Sequence, residues 1–186
     1  MNVDVICWRR MDAPGHDACR LEQREDGWLL DGAAVFRLDR QPARLAYRLM
    51  CDGKWRSRDG IVSGWIGERD CEVRITRTDD GRWTLNGKPI PDLESCVDLD
   101  FGFTPATNLS QLRRIALKIG ETREVPVAWL DVTAGTVALL HQRYARRTIN
   151  AYWYEAPQFD YATELDVRSS GFVRRYPPFW EEECEP

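Results

Sequence analysis

A chain of 186 residues, 43% hydrophobic and 30% charged, has the length and balance of a globular protein with a buried core, which excludes disordered and fibrous classes. Its net charge of −4 and its scattered arginines leave no phosphate-backbone footprint, so no nucleic-acid partner is expected. No apolar run approaches the roughly 20 residues of a membrane-spanning helix, and the opening MNVDVICWRRMD lacks a basic stretch followed by an apolar one, so the chain reads as cytoplasmic.

A cytoplasmic chain keeps its thiols reduced, and none of the six cysteines forms a CxxC pair. Cys7 and Cys71 alternate in phase with apolar neighbours and read as small buried hydrophobes. Eight tryptophans are an excess that suits a broad apolar interior or an aromatic-lined cavity.

Taken in order, the chain is dominated by a period of two. Ala43, Leu45, Tyr47 and Leu49 alternate with Arg44, Ala46, Arg48 and Met50. Cys71, Val73 and Ile75 alternate with Glu72, Arg74 and Thr76. Further on, Ala138, Leu140 and Tyr144 oppose His141, Arg143 and Arg147, and Leu165 and Val167 oppose Glu164, Asp166 and Arg168. Strands with one wet and one dry face belong to antiparallel sheets.

Turn signals occur at 25–27, Asp31-Gly32, Asp52-Gly53, Asp59-Gly60, 79–81 and Asn86-Gly87, since Asp-Gly and Asn-Gly supply the positive φ of tight hairpins. WLLDG (28–32) and WTLNG (83–87) read as the same hairpin chemistry used twice. Roughly ten or more short strands so joined predict one mainly β domain over residues 1–186, an antiparallel wrapped sheet forming a closed or half-closed barrel. One helix is predicted, Leu109 to Ile119, with Thr107 or Asn108 as its cap and Gly120 as its end, plugging or covering one side of the barrel. The C-terminal EEECEP is expected to fray.

The segment Val97–Arg114, VDLDFGFTPATNLSQLRR, breaks the regular pattern and concentrates the polar chemistry. Asp98 and Asp100 would share one strand face, with Arg113 and Arg114 following on the helix. Three readings stay open: a bidentate carboxylate–arginine lock, pairing Asp100 with Arg113 or Arg114; an anion or head-group site; and acid–base catalysis by Asp98 or Asp100. Thr104-Pro105 and Thr107-Asn108 form a rigid turn whose N–H groups either are capped locally or attract an anion.

His16 and His141 have no metal-ligand spacing, and no phosphate loop or nucleophile elbow occurs, so neither a metal nor a cofactor is expected. In TINAYWYEAPQFDY (148–161), Tyr152 and Tyr154 share one face and Trp153 takes the other, which suits a cavity or an interface.

Three segments carry a family resemblance: GRWTLNG (81–87), CVDLDFGFTPATNLSQLRR (96–114) and FDYATELDVRSSGFVRRYPPFW (159–180). The chain resembles the putative glycolipid-binding protein family, small bacterial proteins once grouped as a domain of unknown function. It departs from the family pattern after Asn108, where Ser110-Gln111 stands in place of a proline. The resemblance implies a barrel-like fold similar to the lipoprotein carriers of the bacterial envelope, with a hydrophobic cavity and a glycolipid ligand. It carries over no catalytic residue.

The leading expectation is therefore a binding protein for a glycolipid-like amphipathic ligand. Trp28, Trp65, Trp83 and Trp153 would form or support the walls. Asp98, Asp100, Thr104, Asn108, Arg113 and Arg114 would supply the polar groups. A cavity of at least roughly 300 Å³ beside these residues is required. The alternatives are an enzyme using Asp98 or Asp100 on a small polar substrate, and a homodimeric interaction protein joined through sheet edges.

Overall fold

The computed structural model describes residues 3–183. Along Gln41–Asp52, Ala43, Leu45, Tyr47, Leu49 and Cys51 are buried while the residues between them are exposed or half-buried, as the alternation predicts. The strands of the first half are β1 (Val3–Arg10), β2 (Gly15–Arg24), β3 (Gly27–Leu38), β4 (Gln41–Asp52), β5 (Ser57–Ile66), β6 (Arg69–Arg77), β7 (Trp83–Leu85) and β8 (Lys88–Ile90). The second half holds β9 (Asp98–Phe101), α1 (Asn108–Ile115), β10 (Thr122–Asp131), β11 (Thr136–Arg146), β12 (Ala151–Ala156), β13 (Tyr161–Val167), β14 (Val173–Tyr176) and β15 (Trp180–Glu182).

Among the described residues all fifteen strands form one sheet, in the order β8 to β1 and then β15 to β9. It consists of two meanders joined only where β15 pairs with β1, Trp8 opposite Glu182 and Arg10 opposite Trp180. Every pairing is antiparallel except β9 with β10, which run parallel because α1 carries the chain back between them. Among the described residues no strand pairing closes the sheet. Instead β9 lies against β5: the Ser57 amide donates to the Val97 carbonyl (3.2 Å) and the Leu99 amide to Ser57 Oγ (2.9 Å). Arg69 adds a second tie, donating to the carbonyls of Val132 and Thr133 at 3.1 and 3.0 Å. The result is a half-closed barrel. The free edge β8 carries Lys88 and Pro89, which discourage pairing with another strand.

The helix runs inside this wrap rather than across its outside. Residues 108–112 are all buried. Leu109 packs in a cluster with Phe101 and Phe172, and Leu112 and Ile115 pack in another with Val125 and Tyr144. Among the described residues no helix is long and apolar enough to cross a membrane.

Several expectations need correction. The helix ends at Ile115, four residues short of the predicted Ile119, because Ala116 adopts the left-handed conformation (φ 44°) and donates to the Leu112 carbonyl. Thr107 occupies the cap position but makes no side-chain cap. Residues 181–182 belong to β15 and the Glu183 amide bonds the Cys7 carbonyl (3.0 Å), so this part of the tail is held; the rest of the expected fraying lies outside the described residues. Asn86-Gly87 is the expected tight turn, with φ of 50° and 78°.

Asp31-Gly32 and Asp59-Gly60 are not turns. Gly32 sits in β3 and Gly60 in β5, so WLLDG is no hairpin. Both glycines make room. A Cβ on Gly60 would collide with Leu99, and one on Gly32 with the ring and hydroxyl of Tyr47 and the Ala18 carbonyl. Gly32→Ala should therefore cost about 1–3 kcal/mol by overpacking. Urea unfolding checks this, and a loss under about 0.5 kcal/mol would show that Tyr47 can yield freely.

Candidate functional site

β9 is buried on both faces. Leu99 and Phe101 point toward β5, where Gly60 admits them, and the two carboxylates of Asp98 and Asp100 point toward the helix. A carboxylate without water must find partners in the protein. Asp98, fully buried, is met by Arg114: Nε lies 2.8 and 3.0 Å from its two oxygens and an Nη 2.5 Å from one of them. Burial pulls the Asp98 carboxyl above its usual range, opposed by the Arg114 hydrogen bonds and charge and by Arg77.

The expected lock therefore exists, but on Asp98 rather than Asp100. Asp100 is held by neutral groups: Gln142 Nε2 donates to it at 2.6 Å and Thr107 Oγ1 at 3.1 Å. That use of the Thr107 hydroxyl is why the helix goes without its cap. Gln111 also draws the Asp100 carboxyl down, although its Nε2 makes no hydrogen bond of ordinary geometry; burial nevertheless dominates and raises it. Tyr144 completes the group, donating to Gln111 Oε1 (2.6 Å) and accepting from Asn108 Nδ2 (2.7 Å).

A third buried carboxylate lies behind the first two. Asp17 accepts from the Tyr47 hydroxyl at 3.0 Å and from the Thr104 hydroxyl, whose oxygen accepts from the Ala106 amide at 3.1 Å. Burial pushes Asp17 up to about 6 against those hydrogen bonds.

Beside these groups lies a cavity of about 360 Å³. Asp100, Thr104 and Asn108 form one side. Trp129, Tyr154, Phe159, Tyr161, Tyr176 and Phe179 form an aromatic belt, in which Trp129 and Phe159 meet edge to face at 5.2 Å. Tyr154 and Tyr176 are 5.6 Å apart, and burial raises both phenols well above their usual range. The rim includes exposed Thr133 and Phe159, the latter 54% exposed.

A family model described as "Putative glycolipid-binding" matches residues 5–182. The chain belongs to that family. Among solved structures it is similar to a DUF1089 family protein from Pseudomonas aeruginosa, with 23% identity, a TM-score of 0.79, and coverage of 90% of this chain and 91% of that one. That likeness shows a shared fold. No curated protein matches the chain.

Within this family member the ten candidate residues divide. Asp100, Thr104 and Asn108 line the cavity. Asp98 and Arg114 are joined in the lock and do not line it. Arg113 is exposed and lies over Trp55 at 5.4 Å, and Trp55 in turn stacks on Trp28 (4.4 Å, 15°), away from the cavity. Trp83 is buried with its indole N–H on the Cys96 carbonyl (3.2 Å). Trp65 is 38% exposed on β5. Trp153 faces outward and donates to Glu155 (2.8 Å), which accounts for aromatics on both faces of β12.

The sequence reading did not single out Asp17, Gln142 or Trp129. A signal existed for the first two: Asp17 is in phase with Cys19 and Leu21, and Gln142 with Leu140 and Tyr144, so each is a polar residue on a dry face. Trp129 had none, since its neighbours alternate like those of any half-buried strand.

Two predictions follow from this geometry. Arg114→Ala strands the Asp98 charge and should cost about 3–5 kcal/mol, whereas Arg113→Ala should cost about 0.5–1 kcal/mol; equal losses in denaturant titrations would refute the assignment of the lock. The folded state holds the Asp17 proton more tightly than the unfolded chain, so stability should fall as pH rises from 3.8 to about 6. Asp17→Asn should remove a fall on the order of 3 kcal/mol. An unchanged slope in melts across that range would show that Asp17 does not set it.

Proposed function

We propose that this chain binds an amphipathic, glycolipid-like molecule in the cavity beside α1, its head toward Asp100, Thr104 and Asn108 and its apolar part along the aromatic belt. The observation that carries the reading is the meeting of that belt with three convergent polar side chains in one space of about 360 Å³. Small-molecule sites combine just these parts, apolar walls with a few placed polar groups, in volumes of roughly 300–1,000 Å³. The family's description points the same way. A cytoplasmic setting belongs to this reading and is supported by the buried thiols of Cys19, Cys51, Cys71 and Cys96.

The acid–base alternative has less to work with. Asp98 is committed to Arg114, and Asp100 is gripped by Gln142 and Thr107.

Native mass spectrometry of freshly purified protein should show a stoichiometric extra mass that yields acyl fragments on extraction. Calorimetry with octyl β-D-glucopyranoside should show Trp129→Ala weakening binding roughly tenfold, the worth of one good aromatic contact. Trp65→Ala and Trp153→Ala should leave it unchanged. A clean protein mass together with no heat of binding would overturn the proposal.

A further inference from the structure

The cavity's charge is unbalanced. Asp100 is 7% exposed and, among the described residues, makes no ion pair; its partners Thr107 and Gln142 are neutral. The charged group acting on it is another carboxylate, Asp98, and the guanidinium beside that one is spent in the bidentate lock. Two other charged residues line the space. Asp131 is a further carboxylate, turned onto the amides of Thr133 and Ala134 at 2.9 and 3.0 Å. Arg10 is already bound to both oxygens of Asp12 at 2.7 and 3.0 Å, its guanidinium over Phe36 and Trp180.

Two uncharged groups beside Asp100 add acceptors or withhold donors. Thr104 gives its proton to Asp17 and its oxygen accepts from the Ala106 amide, so it has no donor to offer. Asn108 spends one amide N–H on Tyr144, which leaves its Oδ1 as an acceptor and its second N–H as a donor. The charge on the polar side of the cavity thus belongs to carboxylates, Asp100 and Asp131. Phosphate, sulfate or carboxylate would meet repulsion there. Much of the remaining wall is aromatic, and aromatic faces attract cations.

We infer that the head group this cavity selects carries an ammonium nitrogen, which sits against Asp100 within the aromatic belt. The inference rests on the binding reading above and narrows it: the preferred amphiphile is an amine, such as an amino sugar or aminoalcohol head, and not an anionic lipid. An ammonium group supplies donors to the Asp100 carboxyl and the Asn108 Oδ1, and a countercharge to Asp100.

Three amphiphiles with one tail and different heads test it by calorimetry at pH 7.5: octylammonium, octyl β-D-glucopyranoside and octanoate. Octylammonium should bind roughly tenfold or more tightly than the glucoside, the size of a desolvated cation–aromatic and charge contact, and octanoate should not bind. Asp100→Asn keeps the shape and removes the charge, and should erase the preference for octylammonium over the glucoside. The wild-type series stands without that variant should it fold poorly. Glucoside or octanoate binding as tightly as octylammonium would overturn the charge selection and leave the cavity reading intact. If none of the three binds, the cavity reading falls and this inference with it.

Discussion

Two carboxylates on a strand without a wet face constrain everything around them. β9 is covered by β5 on one side and α1 on the other, so Asp98 and Asp100 have only protein to turn to. The partners come from two elements: Arg114, Thr107 and Gln111 on or beside the helix, and Gln142 on β11. This anchors the helix inside the wrap. An amphipathic helix of eight residues is too short to be stable alone. Here the fixed partners and the burial of both its sides replace the length and the cap it lacks. Arg114 also lies in the last helical turn, where positive charge suits the helix dipole.

The same arrangement creates the empty space. Asp17, through Thr104 and the Ala106 amide, ties the 102–107 turn to β2 and β4. That holds Phe103 and Thr104 at the cavity wall instead of letting them collapse into it. Gly32 belongs to this construction, because only a residue without Cβ lets Tyr47 cross to Asp17. The cavity is thus bounded by polar groups with fixed partners on one side and by interlocked rings on the other. Such a wall cannot close up without stranding a buried polar group.

Much of this was legible in the residues. Alternation located the long strands, the hairpin signals at 25–27, 52–53, 79–81 and 86–87 fell in turns, and the one helix was placed within a few residues. Within the polar segment, alternation put Asp98 and Asp100 on one strand face and the turn before the helix singled out Thr104 and Asn108. What sequence could not provide was which aspartate meets the arginine, since that depends on where the helix lies relative to β9. It misread Gly32 and Gly60 because Asp-Gly is the same dipeptide whether it turns the chain or clears space for a side chain from a distant strand. The tryptophans chosen as walls went elsewhere for a similar reason. Parity along a strand separates two faces, but only the curvature of the whole sheet decides which inward residues meet at the cavity.

The junction of β1 with β15 has a consequence in time as well as in space. Trp8 donates its indole N–H to the Val173 carbonyl, 165 residues away, and among the described residues the two meanders share no strand pair but β1 with β15. During synthesis the first meander is complete at Ile90, but the strands that cover its inner face, where Leu45, Tyr47 and Leu49 lie, have yet to appear. At ordinary ribosomal speeds that face waits on the order of ten seconds. Such a chain folds late and all at once, with its slowest step set by the meeting of its two halves, and in that interval it depends on whatever in the cell shields half-made sheets.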